Sequence, residues 1–265
     1  MTDGVQHSES TLGWLRKPGP LRVWRVVEGR KKTADGKTLR FSIQEVPEDR
    51  YVDVLDHMCT IFLRDEPLCH YLDVINNPEA IADFRKLWNF VIQQGIVVGA
   101  FLVDENNPKP VLAGVNMTLV KCEAAEKGLM TGVEFTSEAC QVILRFMTDF
   151  EKEHDARKLY DVDKYLTAFG LSVDPVYRGQ GLGLHLLKAR DDMSVAYDIQ
   201  VTSTVFTAIA SQKVAAQADF ELLLERNYVD AKNPDGSELF PGIEQKSCKL
   251  MGKRFRDANK STPHD

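Results

Sequence analysis

The sequence predicts a mixed α/β fold in which helices pack against a sheet. Three observations predict it. Strand-like segments alternate with amphipathic helical segments along the chain, and the 265 residues are 43% hydrophobic and 27% charged, as in folded domains. In addition, no stretch approaches the roughly 18 unbroken apolar residues that a membrane span requires. We therefore expect a single domain at residues 21–256, between a flexible N-terminal segment at 1–20 and a flexible tail at 257–265.

The charge balance argues against two classes of partner. Lys and Arg number 33 against 39 Asp and Glu, a net charge of -6, so the surface as a whole repels phosphate backbones and anionic lipids. We expect neither nucleic acid nor a membrane as partner. The five cysteines are scattered and never spaced as C-x-x-C, which predicts neither a disulfide framework nor a metal site. The N-terminus lacks the apolar core of a secretory signal, so a cytoplasmic location is predicted.

The first half of the chain alternates strand and helix patterns. Residues 39–46 alternate in polarity, which predicts a strand, and residues 48–63 place apolar side chains at helical spacing. Pro67 ends this helix, because proline disfavours helical geometry in the residue before it. The same patterns then predict a helix and two strands joined by a hairpin turn: residues 78–94, 97–104, 110–120 and, for the turn, 105–108.

The second half continues the alternation. Ser137 can cap a helix that runs to about residue 153. A strand is predicted at residues 165–173, followed by a glycine-rich turn and a helix. The β-branched run at 201–207 predicts a further strand, and a helix from about residue 211 to residue 220 follows. Strand-like material returns after Tyr228, so the order of elements favours a mixed sheet over a bundle or a sandwich.

The most informative run, residues 171–183, combines the end of a strand, a glycine-rich turn and the start of a helix. Gly179, Gly181 and Gly183 allow the backbone to adopt positive φ and to approach a ligand closely. The free N–H groups and the dipole at a helix start favour a pyrophosphate. The G-x-G-x-G spacing is neither a dinucleotide fingerprint nor a P-loop. By itself, the run indicates either a phosphate cradle or only a tight strand-to-helix connection.

The run Arg178-x-x-Gly-x-Gly resembles the acetyl-CoA-binding segment of the GNAT superfamily of N-acetyltransferases. A wider resemblance, to the insect arylalkylamine N-acetyltransferases, covers about residues 39–255. It implies the GNAT fold, a mostly antiparallel sheet that is splayed between its fourth and fifth strands, here residues 165–173 and 201–207, with acetyl-CoA in the opening. The segments that carry this resemblance are residues 62–68, 171–183, 206–213 and 220–221.

The resemblance assigns the general base to Glu66, which matches the family's Asp-Glu-Pro-Leu motif. An amine with a pKa near 10 is only about one part in a thousand neutral at pH 7, so a base must remove a proton before the amine attacks. On the sequence alone, the pair Asp65 and Glu66 is more often solvated surface. The resemblance also implies that hydroxyl groups of Thr207 and Ser211 assist the reaction. Their ordinary roles would be a strand residue and a helix N-cap.

The resemblance implies acetyl-CoA as cosubstrate and no metal. Leu171 and Val173 would offer backbone N–H groups to the thioester carbonyl and to the pantetheine arm. The residues it assigns to acetyl-CoA are Leu171, Ser172, Val173, Arg178, Gly179, Gln180, Gly181, Leu182, Gly183 and Ser211.

Two positions depart from the superfamily pattern. Ala215 stands where a tyrosine commonly protonates the departing thiolate, which leaves the general acid unassigned. Asp219 stands where glycine usually ends the helix, and aspartate adopts the left-handed conformation less readily than glycine. His57, four residues after Asp53 on one helix, is expected to form a hydrogen bond at the surface.

The predicted activity is an N-acetyltransferase that acts by direct attack in a ternary complex with a small-molecule amine. An arylalkylamine such as dopamine, serotonin or tyramine, or a polyamine or agmatine, could be the acceptor. Acetylation of protein or peptide amines is an alternative within the same fold. An acyl-CoA-binding module without turnover is an alternative from another class. The sequence leaves the oligomeric state open.

Overall fold

The computed structural model describes residues 9–104 and 107–255. Within that part of the chain, eight strands form one sheet in the order β1-β2-β3-β4-β5-β6-β8-β7. All neighbouring strands are antiparallel except the parallel pair β5 and β6. The strands are β1 (Val23–Lys32), β2 (Thr38–Glu45), β3 (Val98–Leu102), β4 (Leu112–Lys121), β5 (Tyr165–Val173), β6 (Val201–Phe206), β7 (Glu221–Asn227) and β8 (Ser247–Arg254).

Helices cover both faces of the sheet. They are α1 (Glu9–Leu12), α2 (Tyr51–His57), α3 (Leu63–Asp65), α4 (Pro67–Tyr71), α5 (Pro78–Ile92), α6 (Glu123–Gly132), α7 (Glu138–Glu153), α8 (Ala156–Tyr160), α9 (Leu182–Tyr197) and α10 (Ile209–Gln217). A π-helical turn, Met58–Phe62, joins α2 to α3. Among residues 9–104 and 107–255, none of the helices combines the length and the apolar composition that a membrane span requires.

The hydrophobic core lies in two main layers on either side of the sheet. On one face, α9 buries Leu186, Ala189 and Met193 against the strands. On the other face, α5 and α7 bury an aromatic group that includes Trp88 and Phe150. Side chains pack against both faces of the sheet, and the sheet is open only where β5 and β6 separate. This opening sets the place of the candidate site.

Strands β5 and β6 pair through one residue of each, Leu166 and Thr202, and then diverge. The predicted fold class, with its mostly antiparallel sheet splayed at this pair, is confirmed. In chain order the pair is the fifth and sixth strand rather than the predicted fourth and fifth, because β1 is not among the strands that the sequence predicts. The arginines and lysines of β1 interrupt its alternating pattern, which is why that strand was missed.

Residues at the beginning of the described chain lie against the domain. Leu12 is buried beside Phe90 and Val133, and its carbonyl accepts a hydrogen bond from the side chain of Gln94 (3.0 Å). The polar and glycine-rich composition of residues 1–20 predicts a flexible segment and hides two apolar contacts, that of Leu12 and that of Trp14 with Tyr197. Residues 1–8, the predicted turn residues 105 and 106, and the tail from residue 256 lie outside the described part.

Three helix ends can be compared with the predictions from the sequence. Ser137 caps α7 as predicted, because its Oγ accepts a hydrogen bond from the N–H of Cys140 (3.1 Å). Ser211 does not cap α10, whose N-cap residue is Ala208. At the other end, Asp219 adopts the left-handed conformation (φ 62°) that glycine usually supplies.

Candidate active site

A cavity of about 850 Å³ occupies the opening between β5 and β6. One end lies at the glycine-rich turn before α9, where Arg178, Gly181 and Gly183 line it. The other end reaches a cluster of charged residues on β4, α6, α7 and the segment that leads into α8. Glu66, Thr207 and Ser211 all line the cavity. The structure therefore brings the predicted catalytic residues and the predicted phosphate-binding turn to one continuous space.

The carboxylate of Glu66 is held at the wall of this cavity by the local chain geometry. Glu66 has an extended backbone between α3 and α4 and is followed by Pro67 at the first position of α4. Its Oε2 accepts a hydrogen bond from the N–H of Cys69 (2.7 Å), an N-cap interaction. Its Oε1 is buried and has no hydrogen-bond partner among the described residues. One oxygen orients the side chain, and the other has no partner among the described residues and is free to accept a hydrogen bond.

Aromatic side chains surround the cavity near Glu66. Phe62, Phe84, Trp88 and Phe169 contribute to its lining. The indole N–H of Trp88 donates to the carbonyl of Phe169 (2.8 Å), so the polar edge of this ring is satisfied by the protein. The part of the cavity next to the carboxylate is therefore predominantly apolar, which suits a ligand that buries hydrocarbon or aromatic surface.

Strand β5 presents free backbone groups to the opening. The N–H of Asp174 donates to the carbonyl of Ala113 on β4 (2.9 Å). Because antiparallel ladder bonds recur at every second residue, Leu171 and Val173 direct their N–H groups to the other edge, toward β6. Strand β6 offers no pairing there. The backbone N–H groups of Leu171 and Val173 can therefore donate to a carbonyl bound in the cavity, as the sequence predicts.

The side chain of Ser172 has a different environment. Its Oγ lies 2.9 Å from Nε2 of His57, which is buried in α2. Burial lowers the pKa of His57 to about 4, so the imidazole is neutral at physiological pH. The expected surface hydrogen bond between His57 and Asp53 was wrong, because α2 turns His57 toward β5, and Asp53 pairs with Arg50 and Lys109 instead.

The glycine-rich turn has the features of an anion site. Gly179 and Gly181 adopt positive φ (83° and 86°). The N–H groups of Gly179, Gly181, Leu182 and Gly183 have no hydrogen-bond acceptor among the described residues. Together with the dipole of α9, these donors favour a phosphate. Gln180 differs from its neighbours, since its buried side chain faces β1 and does not line the cavity.

Strand β1 brings cations to this turn that the sequence analysis did not identify. The guanidinium of Arg30 lines the cavity beside Gly181, and the ammonium of Lys31 lies at the carbonyl of Arg178 (3.3 Å). Arg178 itself pairs with Asp65, the neighbour of Glu66. A cationic strand end over a turn with free N–H groups suits a pyrophosphate. Only a prediction of β1 and of its place in the sheet could have revealed these residues.

The two hydroxyl residues at the start of α10 are not equivalent. Oγ of Ser211 donates to the carbonyl of Ala208 (2.8 Å), so its proton is used within the helix. The hydroxyl of Thr207 has no partner among the described residues, while the Thr207 carbonyl accepts a hydrogen bond from the buried Tyr228 (3.0 Å). Thr207 is therefore the freer of the two groups.

The helix α10 does not present Ala215 to the cavity. Ala215 is buried against Leu187 and Phe206 in a separate core cluster. The residues of α10 that line the cavity are Ala210, Ser211, Val214 and Gln217. None of these four has an acidic proton suited to a departing thiolate, apart from the hydroxyl of Ser211.

The end of the cavity remote from the glycine turn carries mixed charges. Lys121 pairs with Glu151 (2.5 Å) and Glu126 (3.4 Å), and Arg157 pairs with Glu126 and Asp155. Three carboxylates thus face two cations. Among the described residues, no group of three or more His, Cys, Asp or Glu side chains could hold a metal ion.

Comparison with solved structures identifies the class of this fold. A protein assigned as arylalkylamine N-acetyltransferase 7 of the yellow fever mosquito Aedes aegypti is 28% identical, with a TM-score of 0.81 over 91% of this chain and 99% of that chain. A mosquito arylalkylamine N-acetyltransferase-like protein, 5b, is 21% identical over 81% of this chain and 100% of that chain, with a TM-score of 0.70. A polyamine N-acetyltransferase of Drosophila melanogaster is 16% identical over 81% and 100%, with a TM-score of 0.68.

A scan against protein-family models found no match, and a search of curated proteins found none either. The splayed sheet, the glycine turn and the structural neighbours together define a GNAT N-acetyltransferase fold. Within that class, the chain is similar over nearly its whole length to an insect arylalkylamine N-acetyltransferase, and this similarity supports N-acetyltransferase activity.

Proposed function

We propose that this chain transfers the acetyl group of acetyl-CoA to the primary amine of a small molecule, by direct attack in a ternary complex, with Glu66 as general base. One observation carries the proposal. A carboxylate oxygen of Glu66 is buried, has no partner among the described residues, and lies in the wall of the cavity between the splayed strands. An unpartnered buried acceptor at this place is costly unless a ligand satisfies it.

The amine that accepts the acetyl group must lose a proton before it can attack, so the reaction needs a base. A primary amine is almost wholly protonated at neutral pH and has no free lone pair in that form. In the proposed step, Glu66 takes one proton from the ammonium, directly or through water. The amine nitrogen then forms a bond to the thioester carbon, the carbon–sulfur bond breaks, and the nitrogen loses a second proton, which the departing thiolate takes up to leave CoA as the thiol. The oxygen Oε1 is the one that accepts, because Oε2 is already bonded to the N–H of Cys69.

The residues at the glycine turn fit the phosphates of acetyl-CoA. The N–H groups of Gly179, Gly181, Leu182 and Gly183 would donate to them, and Arg30 and Lys31 would supply positive charge. Gln180 would contribute indirectly, by joining the turn to β1. Acetyl-CoA supplies an activated acyl group with a thiolate as leaving group.

The edge of β5 fits the acyl end of the same molecule. The N–H groups of Leu171 and Val173 would polarise the thioester carbonyl and hold the pantetheine arm, since both face the gap left by β6. As negative charge moves from the carbonyl oxygen to sulfur, the hydroxyl of Thr207 would donate a hydrogen bond to the thiolate and relay to it the proton that the acetylated nitrogen loses. Ser211 would support it from the first turn of α10.

The walls near Glu66 favour an acceptor with an aromatic or otherwise apolar body. Phe62, Phe84 and Trp88 would pack against it while its amine reaches the carboxylate. The similar structures include proteins described as arylalkylamine and as polyamine N-acetyltransferases. We favour the arylalkylamine class, because the walls next to Glu66 are aromatic and the other carboxylates of the cavity already pair with a lysine or an arginine, which leaves them less available to a second cation of the acceptor.

The test is release of CoA, followed with a thiol reagent, from acetyl-CoA and a panel of amines. The panel contains dopamine, serotonin, tyramine, agmatine, putrescine, spermidine and a lysine peptide. We expect turnover with the aromatic amines at the highest kcat/KM. Turnover with the peptide alone would indicate a protein amine transferase. Binding of acetyl-CoA with no release for any amine would overturn the proposal in favour of a module without turnover.

A further inference from the structure

Arg190 is a buried cation at the point where β5 and β6 separate. It lies on α9, its relative exposure is 0%, and it contributes to the lining of the cavity. No described carboxylate forms an ion pair with it, and its hydrogen bonds all go to neutral side chains. Burial lowers the pKa of Arg190 to about 9, which leaves the guanidinium charged at neutral pH. Charged side chains are rarely buried without a partner of opposite charge, because burial removes their hydration, so the position of Arg190 suggests a specific function.

The guanidinium of Arg190 joins two strands that are not neighbours in the sheet. Its Nε and Nη2 donate to Oδ1 of Asn116 on β4 (3.2 and 3.0 Å). Its Nη1 donates to Oγ1 of Thr202 and of Thr204 on β6 (2.9 and 2.8 Å). Arg190 thus connects β4 and β6 across β5.

Through Asn116 the same contact reaches the edge of β5 that faces the opening. Nδ2 of Asn116 donates to the carbonyl of Gly170 (3.0 Å), at an irregularity in the pairing of β4 with β5. The carbonyl of Gly170 and the N–H of Leu171 belong to one planar peptide unit. A side chain that fixes the carbonyl therefore fixes the direction of the Leu171 N–H group as well.

On the other side of the opening, Arg190 fixes β6 where strand pairing stops. Oγ1 of Thr202 accepts from Arg190 and donates to the carbonyl of Leu166 (2.9 Å), at the single pair that joins β5 and β6. Two residues farther along β6, on the same face, Thr204 lines the cavity and also accepts from Arg190. The guanidinium of Arg190 thus holds both walls of the opening: β5 through Asn116, and β6 through Thr202 and Thr204.

We propose that Arg190 is a positioning residue that sets the separation of β5 and β6 and, through Asn116 and Gly170, the orientation of the Leu171 N–H group in the acyl-binding part of the cavity. The expected effect on kcat rests on the proposed function. The expected effect on amide hydrogen exchange in β5 does not depend on activity. A lysine cannot replace the arginine, because one ammonium cannot form the paired contacts to both strands.

The experiment compares Arg190→Met, Arg190→Lys and Asn116→Leu with the parent protein and with Arg50→Met. Arg50 is a matched control, since it is also a largely buried arginine but lies outside the cavity lining and pairs with Asp53. We expect kcat to fall by about 10- to 100-fold in both Arg190 variants and in Asn116→Leu, the loss typical of a small displacement of a reacting group. KM for acetyl-CoA should stay within about threefold. Arg50→Met should lose stability but keep its kcat per folded molecule.

Two further readouts separate positioning from a general loss of packing. In the double variant Arg190→Met with Asn116→Leu, kcat should be no lower than in the slower single variant, because both changes remove one chain of contacts. Amide hydrogen exchange at residues 169–173 should be faster in Arg190→Met and in Asn116→Leu than in the parent protein, and unchanged in Arg50→Met. If Arg190→Met fails to fold, Arg190→Lys and Asn116→Leu carry the test.

Wild-type kcat in the Arg190 variants, with unchanged exchange at residues 169–173, would overturn the proposal. So would losses that multiply in the double variant. If the parent protein transfers no acetyl group to any amine, the proposed function fails, whereas the exchange experiment still decides the role of Arg190.

Discussion

The backbone N–H of Lys31 donates to the side-chain oxygen of Gln180 at 2.8 Å, which fastens the end of β1 to the glycine-rich turn. The contact is close, since a Cβ added at Gly29 would lie 2.5 Å from the same oxygen. The turn is therefore held against a strand from the other end of the sequence. This contact makes β1, with Arg30 and Lys31, part of the proposed acetyl-CoA site.

Replacing Arg30 by alanine is expected to weaken acetyl-CoA binding by about 10- to 100-fold, since a charge-assisted bond to a phosphate contributes about 1.5 to 3 kcal/mol. Lys32→Ala is the matched control, because Lys32 is exposed, lies two residues farther along β1 and is not part of the cavity lining. Isothermal titration calorimetry measures both variants, and repetition at higher salt should reduce the difference between Arg30→Ala and the parent. Equal affinities for the two variants would remove Arg30 from the site.

The free energy of unfolding should depend on pH through His57. Burial lowers the pKa of His57 from 6.5 to about 4 in the folded state, so between these values the unfolded chain binds a proton that the folded chain does not. Stability is therefore complete above about pH 6.5 and falls as the pH decreases toward 4. We expect a loss of about 2 kcal/mol between pH 7.5 and pH 5 from this group.

Urea unfolding at pH 7.5 and pH 5 measures this dependence in the parent and in His57→Gln, which keeps an amide in place of the ring nitrogen beside Ser172. The variant should lose less stability than the parent on acidification, because the titrating group is gone. The same pH dependence in both proteins would show that His57 is not the source.

Thr207 should matter more than Ser211 for the departure of the thiolate. The Thr207 hydroxyl has no partner among the described residues, whereas the Ser211 hydroxyl donates to Ala208. We expect Thr207→Val to lower kcat by about tenfold or more and Ser211→Ala to lower it less. The carbonyl of Thr207 would keep its bond from Tyr228 in the variant, so the strand end is retained. Steady-state kinetics that show the larger loss in Ser211→Ala would reverse this order.

The sequence predicted the parts of the fold that depend on local pattern. The strand at residues 165–173 is found with those bounds, and Ser137 begins the helix α7 as predicted. The glycine turn was recognisable because positive φ and free N–H groups are properties of the local chain. The carboxylate of Glu66 was found through its motif, since nothing in the local pattern separates it from Asp65.

The parts that depend on packing between distant segments were not predictable from one chain. The cations of β1 meet the turn only because α9, which follows the turn, packs against β1 and brings Lys31 to Gln180, which is 149 positions away. The burial of His57 follows from the docking of α2 on β5. The network of Arg190 joins three strands and a helix, and each of its residues is unremarkable by itself.

The most direct test of the account is the pH dependence of kcat/KM for the preferred amine in Glu66→Gln, with Asp65→Asn as the matched control. Glutamine keeps the size of the side chain and an oxygen for the N–H of Cys69. We expect a loss of about 10² to 10⁴ in kcat/KM at neutral pH, partly restored at high pH where the free amine is abundant, with acetyl-CoA affinity unchanged. A rate in Glu66→Gln equal to that of Asp65→Asn at every pH would contradict the role of Glu66 as the base.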